Sequence, residues 1–221
     1  MKQWLDRATG VVSMYTLVLA LLGALGALAL TLSLLGQLSY GPLALLASAV
    51  IAIVITCASS YVSARLVRVT PHLESALITG LLVFFVMQPK LDPLGLAGIA
   101  LAGFVAGISK YLLAVRGRHI FNPAAFGAFV PTLIVFTTFV GLSYGLWWIG
   151  TPLLQVPVYI GAFLILYRTQ RLTLGLSFIV LAGALATAVA VSGGQALGPA
   201  ISQVLLQSPL VFFAGFMLSE P

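Results

Sequence analysis

Charged side chains are scarce in this chain: only 6% of its 221 residues are Asp, Glu, Lys or Arg, whereas 61% are hydrophobic. A soluble globular domain carries roughly 25% charged residues. So few polar residues could not cover a soluble core built from so many apolar ones. The composition therefore excludes a soluble protein and predicts an integral membrane protein in contact with the lipid bilayer.

Residues that bind metals or act in acid–base catalysis are equally few. There are four acidic residues, two histidines and a single cysteine, Cys57. Cys57 cannot form an intramolecular disulfide or hold a zinc ion or iron–sulfur cluster alone, so we expect a small buried helix residue. His72 and His119 lie in loops beside arginines, which disfavours axial haem ligation. The net charge of +6 fits short basic loops that orient a membrane chain, not nucleic-acid binding.

The apolar residues fall into eight runs, each predicted to be a helix that crosses or partly crosses the bilayer. The runs cover residues 11–35, 42–62, 76–87, 94–115, 123–148, 152–167, 172–191 and 200–218. At about 12 residues and roughly 18 Å, the third run is too short for a full span. The eighth is broken at Ser208-Pro209, and Trp147 and Trp148 are expected at a membrane–water interface. The predicted fold is an all-α integral membrane fold of about eight transmembrane or half-spanning helices, in one transmembrane domain over residues 1–221.

The basic residues predict the orientation of the chain. If all eight runs cross, one side holds every basic pair: Lys2/Arg7, Arg65/Arg68, Arg116/Arg118 and Arg168/Arg171. The other side holds only Lys90, which is balanced by Asp92. Basic loops stay in the cytoplasm, so we expect an inner (cytoplasmic) membrane protein with both termini cytoplasmic.

A weak internal repeat relates the third and eighth runs. The stretches that begin at Ser75 and Ser208 are both short and aromatic, and each closes on a Met followed shortly by a polar residue and Pro. An inverted repeat of five-span units would place these runs at equivalent positions with opposite direction. Repeat one would cover about 11–148 and a partial repeat two about 152–221, without its last two spans. We expect the two short runs to meet near the middle of the membrane.

The stretch from Arg116 to Gly127 is the main candidate for a site. Asn122-Pro123 predicts a helix break, because proline disfavours helical backbone at the residue before it and suits the first turn of a new helix. Broken backbone at membrane depth usually lines a cavity or is buried in protein. Asn122 either hydrogen-bonds to the polar edge of a heterocycle or caps the next helix.

Glu74 and Lys110 are the charges nearest to apolar surroundings. Both are either functional, or Lys110 snorkels and Glu74 caps the third helix.

Three stretches carry a family resemblance: Glu74 to Leu82, Phe121 to Gly127 and Gly215 to Pro221. In this order they resemble signature stretches of a membrane flavoprotein family, whose members include flavin-binding membrane components of the Rnf electron-transport complex and of the sodium-translocating NADH:quinone reductase. The resemblance implies ten spans in two inverted repeats, FMN and riboflavin as cofactors, and electron transfer within the membrane. Two features depart from the family pattern. No Ser-x-Ala-Thr-like attachment stretch follows the Asn-Pro motif, so non-covalent flavin is expected. The last motif reads Glu220-Pro221 and stops, as in short members fused to a cytoplasmic NAD(P)H/FAD reductase domain.

The predicted function is a flavin-binding transmembrane electron-transfer module, the membrane redox part of an oxidoreductase. It would take electrons from a cytoplasmic NAD(P)H-dependent flavin reductase, and the protein would supply position and electrostatics. The expected cofactor, FMN or riboflavin, would meet aromatic rings, polar groups, positive charges and flanking residues. The aromatic rings are Phe84, Phe85, Phe121 and Phe126, and the polar residues are Ser75, Thr79, Asn122 and Ser219. The positive charges are Lys110 and Arg118, and the flanking residues are Glu74, His119, Pro123 and Glu220. The alternatives are an uptake component for riboflavin or another small molecule, and a small-solute channel. A homo-oligomer is left open.

Overall fold

The computed structural model describes residues 13–115 and 118–218, apart from the side chains of Val115, Arg118 and His119. The described chain is helical, with one short hairpin. The helices are α1 Met14–Leu34, α2 Pro42–Leu66, α3 Leu73–Val86, α4 Pro93–Leu112, α5 Pro123–Thr138, α6 Pro152–Arg168, α7 Leu172–Ser192, α8 Leu197–Leu206 and α9 Leu210–Met217. Strands β1 Ala114–Val115 and β2 Arg118–His119 form the antiparallel hairpin between α4 and α5. Within α9, Phe213–Met217 have π-helical geometry.

Four helices, α1, α2, α4 and α7, are long and apolar enough to cross a membrane. Helices α8 and α9 make a fifth if the pair, which is bent by 46°, counts as one broken span. Helices α3, α5 and α6 are apolar but shorter. The all-helical prediction and the short third helix are therefore confirmed, and the fold is that of a helical membrane protein with four to five span-capable helices. The full set of eight crossings and the inverted repeat stay predictions.

Local sequence signals set the starts of α4 and α5. Asp92 accepts a hydrogen bond from the Gly95 backbone N–H at 2.7 Å, and Pro93 occupies the first turn of α4. Asn122 Oδ1 accepts one from the Ala125 backbone N–H at 3.0 Å, with Pro123 in the first turn of α5. Both arrangements satisfy a backbone N–H that the first helical turn leaves without an intrahelical partner. The predicted break at Asn122-Pro123 is confirmed.

The fifth predicted run is wrong in its second half. Helix α5 ends at Thr138, where Phe139 adopts a left-handed backbone with φ of 56°. Residues 139–147 are not helical, because their backbone bonds to the segment that follows α3. Trp148 is a core residue: it is only 4% exposed, and its indole N–H donates to the Phe84 carbonyl at 2.7 Å. The expected place of Trp147 and Trp148 at a membrane–water interface stays a prediction.

The segment after α3 runs extended alongside residues 141–147. Met87 and Gly145 form an antiparallel bridge, and the Gln88 N–H donates to the Tyr144 carbonyl at 2.8 Å. The Ser143 hydroxyl donates to the Gln88 carbonyl at 2.5 Å, and Lys90 Nζ donates to the Gly141 carbonyl at 3.0 Å. These bonds satisfy backbone groups that would be costly to leave unpaired away from water. The two extended segments, 87–91 and 141–147, are called the paired segments below.

The chain divides into two compact units, and the central one covers Leu22–Trp148. Here glycines let the helices approach closely. A Cβ on Gly107 of α4 would collide with Ser59 Oγ and lie 2.8 Å from the Ser60 nitrogen on α2. A Cβ on Gly80 of α3 would lie 2.8 Å from the Ile53 Cα on α2. Close backbone approach at small residues is the usual way in which helices pack in a bilayer.

The second unit combines Met1–Leu21 with Ile149–Pro221, of which residues 13–21 and 149–218 are described. A Cβ on Gly215 of α9 would lie 2.5 Å from the Ala162 Cα on α6, so these helices also touch backbone to backbone. Gln155, only 4% exposed, donates from Nε2 to the Gly150 carbonyl at 3.0 Å and to the Ser208 carbonyl at 3.3 Å. The predicted break at Ser208-Pro209 is confirmed. The break leaves the Ser208 carbonyl without a helical partner, and the Gln155 amide donates to it.

Candidate functional site

Lys110 is a buried charge in the central unit. It lies in the last turn of α4, yet its side chain is only 5% exposed. Nζ donates to the Ser75 carbonyl at 2.8 Å, to Ser75 Oγ at 2.6 Å and to Thr79 Oγ1 at 2.9 Å. The alternative in which Lys110 snorkels to the interface is therefore wrong. We call Lys110, Ser75 and Thr79 the lysine cluster.

Helix α3 supplies all three oxygens of the cluster. Ser75 and Thr79 are four residues apart, so they lie on one face near the start of α3. Thr79 is fully buried, and its hydroxyl donates to the Ser75 carbonyl at 2.8 Å. The Thr79 oxygen is thus oriented by one bond while it accepts another from the ammonium. A charge-assisted hydrogen bond of this kind is stronger than a neutral one.

Glu74 does not join the cluster. It lies in the first turn of α3, where its side chain is exposed. A carboxylate at this position interacts favourably with the partial positive charge of the helix N-terminus. Of the two interpretations of Glu74, the geometry agrees with stabilisation of the helix start.

Aromatic residues flank the start of α5. The Phe121 ring is 55% exposed, and it stacks on the Phe126 ring with centroids 5.7 Å apart and planes 15° apart. Pro123 is buried between these positions in the chain. The capping interpretation of Asn122 is confirmed, because its Oδ1 binds the Ala125 N–H. The α5 start therefore presents an apolar ring face next to a fixed helix cap.

The lysine cluster and the α5 start lie at the same end of the α4–α5 pair. A Cβ on Gly127 would lie 2.7 Å from the Ala106 Cβ, and a Cβ on Gly98 would lie 2.6 Å from the Ser143 nitrogen. These two contacts show that α5 and the segment that continues it run antiparallel to α4. One turn before Gly127 is Pro123, and one turn after Ala106 is Lys110. The lysine cluster and the α5 start therefore lie at the same level along the α4–α5 pair.

Phe84 and Phe85 belong to a different part of the unit. Ten residues of helix separate Phe85 from Ser75, which is about 15 Å along α3. Their rings pack on each other at 4.9 Å and on Trp148 at 5.1 and 5.5 Å. Tyr40 contacts Trp148 edge-on at 6.0 Å, and burial raises the pKa of its phenol above the ordinary value. This cluster fills the core at the far end of α3 and is not joined to the lysine cluster.

Several predicted site residues lie outside what the structure describes: Ser219 and Glu220, and the side chains of Arg118 and His119. The described residues contain no group of three or more His, Cys, Asp or Glu that could hold a metal ion. Two buried hydroxyls, those of Thr56 and Ser60, are absent from the sequence-based predictions. These residues are 0% and 2% exposed, and their hydroxyls have no hydrogen-bond partner among the described residues. Their spacing of four residues on an apolar helix is the signal that could have found them.

Comparisons of the chain with protein-family models, with curated proteins and with solved structures give no match. The family resemblance therefore rests on the three sequence stretches alone.

Proposed function

We propose that this chain is a membrane module that binds a flavin non-covalently and passes electrons within the bilayer. The proposal includes the finer fold prediction of about eight crossing or half-crossing helices with an inverted repeat. It rests on the family resemblance of three sequence stretches together with the geometry of the lysine cluster. A channel is less favoured, because the polar groups of this cluster are bonded to one another inside a helix bundle.

The observation that carries the proposal is a buried cation at the same end of the α4–α5 pair as an aromatic helix start. Lys110 is 5% exposed and is held by Ser75 and Thr79. Charges inside a membrane protein are costly and usually serve a function. The α5 start lies at the same end of the bundle and offers the Phe121 ring, which is 55% exposed. A planar heterocycle with a polar edge fits such a combination of ring face, hydroxyls and positive charge.

When bound, a flavin would supply the capacity to accept and release electrons. The chain's own residues would position it and set its potential. Lys110 favours added negative charge at the site, and Ser75 and Thr79 keep the ammonium in place. Phe121 and Phe126 provide an apolar face. Phe84 and Phe85 are not proposed as ligands, because Phe85 is fully buried and both rings pack against Trp148.

The electron donor and the orientation also belong to the proposal. The basic pairs of the sequence favour cytoplasmic termini and an inner-membrane location. The donor would then be a cytoplasmic NAD(P)H-dependent flavin reductase. A riboflavin-uptake component would bind flavin as well, but it would not pass electrons from such a reductase.

The first test is the visible absorption spectrum of the detergent-purified protein. We expect a flavin spectrum, and we expect acid precipitation to release all of the yellow colour into the supernatant, because the attachment stretch for a covalent bond is missing. NAD(P)H with a flavin reductase should then bleach the bound flavin. Protein that neither carries flavin nor takes it up when incubated with FMN or riboflavin would refute the proposal, and binding without reduction would favour uptake.

A second test changes the charge. Lys110→Met should lower the midpoint potential of the bound flavin, and each ~1.4 kcal/mol of lost charge stabilisation corresponds to about 30 mV for two electrons. Lys90→Met is the matched control, because Lys90 binds backbone carbonyls of residues 141 and 142 and not the cluster. Equal potentials in Lys110→Met and the wild type would show that Lys110 does not act on the cofactor.

A further inference from the structure

A groove runs along the outer face of α2 and α4 in the central unit. It encloses about 420 Å³ and is lined on α2 by residues 55–66 and on α4 by Phe104, Ile108 and Leu112. Its rim is formed by apolar side chains that are more than half exposed, among them Val62, Leu66 and Leu112. Ser59 lies in the groove, but its hydroxyl donates to the Ile55 carbonyl at 2.8 Å. The groove therefore presents an apolar surface.

Two arginines lie where the groove ends. Arg65 lies in the last turn of α2, and Arg68 lies two residues beyond the end of that helix. Both side chains are exposed. The Arg65 guanidinium lies over the Tyr61 ring at 5.1 Å and donates to its hydroxyl at 3.0 Å. Neither arginine forms an ion pair within the part of the chain that the structure describes.

We propose that this groove binds one acyl chain of an anionic phospholipid whose headgroup lies at Arg65 and Arg68. From Ile55 to Leu66 the groove is roughly 16 Å long. One leaflet of the hydrocarbon core is about 15 Å thick, so one acyl chain from the leaflet nearest the arginines matches the length. The positive charge of the two arginines selects the headgroup. The net negative charge of an anionic headgroup compensates the two cations, whereas a zwitterionic headgroup compensates them less well.

The size of the selectivity follows from the two charges. A basic residue near an anionic membrane surface contributes about 1 kcal/mol, which is roughly a fivefold change in affinity. Two such residues give a preference for phosphatidylglycerol over phosphatidylcholine of about 25-fold at low salt, for equal acyl chains. The preference should fall as ionic strength rises, because the arginines are exposed to solvent.

Native mass spectrometry of the detergent-purified protein, titrated separately with phosphatidylglycerol and phosphatidylcholine, tests the proposal. We expect one tightly retained phosphatidylglycerol. The double variant Arg65→Gln/Arg68→Gln should remove the preference, whereas Lys2→Gln/Arg7→Gln, which lowers the net charge equally, should keep it. Equal binding of the two lipids to the wild type, or equal losses in the two double variants, would overturn the proposal.

A second variant tests the groove itself. Ala58→Trp should fill part of the groove and reduce retention of phosphatidylglycerol at least fivefold, whereas Ala184→Trp on α7 should not. If Ala58→Trp fails to purify as a monodisperse species, the smaller Ala58→Leu takes its place. Unchanged lipid retention in a folded groove variant overturns the proposal. So does a wild-type dimer that Ala58→Trp dissociates, because the groove would then be occupied by a second copy of the chain.

Discussion

The lysine cluster makes an asymmetric prediction about stability. Removing a partner from a buried charge should cost more than removing the charge itself. Thr79→Val deletes the hydroxyl that accepts from Lys110 Nζ at 2.9 Å and donates to the Ser75 carbonyl at 2.8 Å. A hydrogen bond to a charged group contributes about 1.5–3 kcal/mol, and more is lost when the charge stays buried. We expect Thr79→Val to lower the free energy of unfolding by about 2–3 kcal/mol.

Lys110→Met should cost much less, under about 1.5 kcal/mol, although it removes the bonds of Nζ to Ser75 and Thr79. The ammonium no longer has to be taken out of water, and the Thr79 hydroxyl keeps its bond to the Ser75 carbonyl. In the Lys110→Met background, Thr79→Val then loses only a neutral bond, about 1 kcal/mol. The two substitutions should therefore be coupled by about 1–2 kcal/mol.

Thermal unfolding of the purified protein in detergent measures these differences. For a chain of this size 1 kcal/mol corresponds to about 2–4 °C, so Thr79→Val should melt roughly 5–10 °C below the wild type. Thr137→Val is the matched control. The Thr137 hydroxyl also donates to a carbonyl one turn earlier, at 2.8 Å, but it is exposed and accepts no hydrogen bond from a lysine. The reasoning would be refuted if the effects of Thr79→Val and Lys110→Met on stability were additive. It would also be refuted if Thr79→Val and Thr137→Val had the same melting temperature.

Three further predictions concern the helix cap, the close helix contacts and the break in the second unit. Asn122→Ala should destabilise the protein by about 1 kcal/mol, because it removes the α5 cap, and should lower flavin occupancy more than Cys57→Ala does at equal folded yield. Gly127→Ala should cost about 1–3 kcal/mol, since its Cβ would lie 2.7 Å from the Ala106 Cβ, whereas Gly198→Ala, with nothing within 4 Å, should cost nothing. Gln155→Leu should cost about 1–3 kcal/mol, because the Gly150 and Ser208 carbonyls lose their side-chain donor.

Each of these has a result that would contradict it. Asn122→Asp keeps a capping oxygen, so equal melting of Asn122→Ala and Asn122→Asp would mean that the cap is not important for stability. Equal melting of Gly127→Ala and Gly198→Ala would mean that α4 and α5 can move apart at no cost. If Gln155→Leu matches the wild type, water or another group satisfies the two carbonyls.

The features that the sequence predicted correctly are local. Scarce charge and long apolar runs indicate membrane helices. Asp92-Pro93 and Asn122-Pro123 are helix starts because a capping side chain and a proline act within one turn. Ser208-Pro209 is a break because proline disfavours helical backbone at the residue before it. None of these positions depends on what the helix packs against.

The features that the sequence could not predict depend on distant neighbours. Lys110 is buried and does not snorkel, because the α3 start lies alongside it. Helix α5 ends at Thr138 although apolar residues continue, because residues 141–147 bond to the segment after α3. Trp148 is buried in the core, because the Phe84 carbonyl accepts its indole N–H. In each case the deciding partner is 31 or more positions away in the sequence.

The paired segments have a consequence for biosynthesis. The Val86 carbonyl and both backbone groups of Gln88 find partners in residues 143–147, about 55 to 60 positions later in the chain. While the ribosome is still adding α4 and α5, the end of α3 has polar groups that neither lipid nor its own helix can satisfy. The early helices therefore cannot complete their final packing in the bilayer until Trp148 has been synthesised. Until then the nascent segment after α3 needs water or the insertion machinery to solvate it, and a ribosome-bound chain that stops at Thr138 should be degraded faster than one that stops at Gly150.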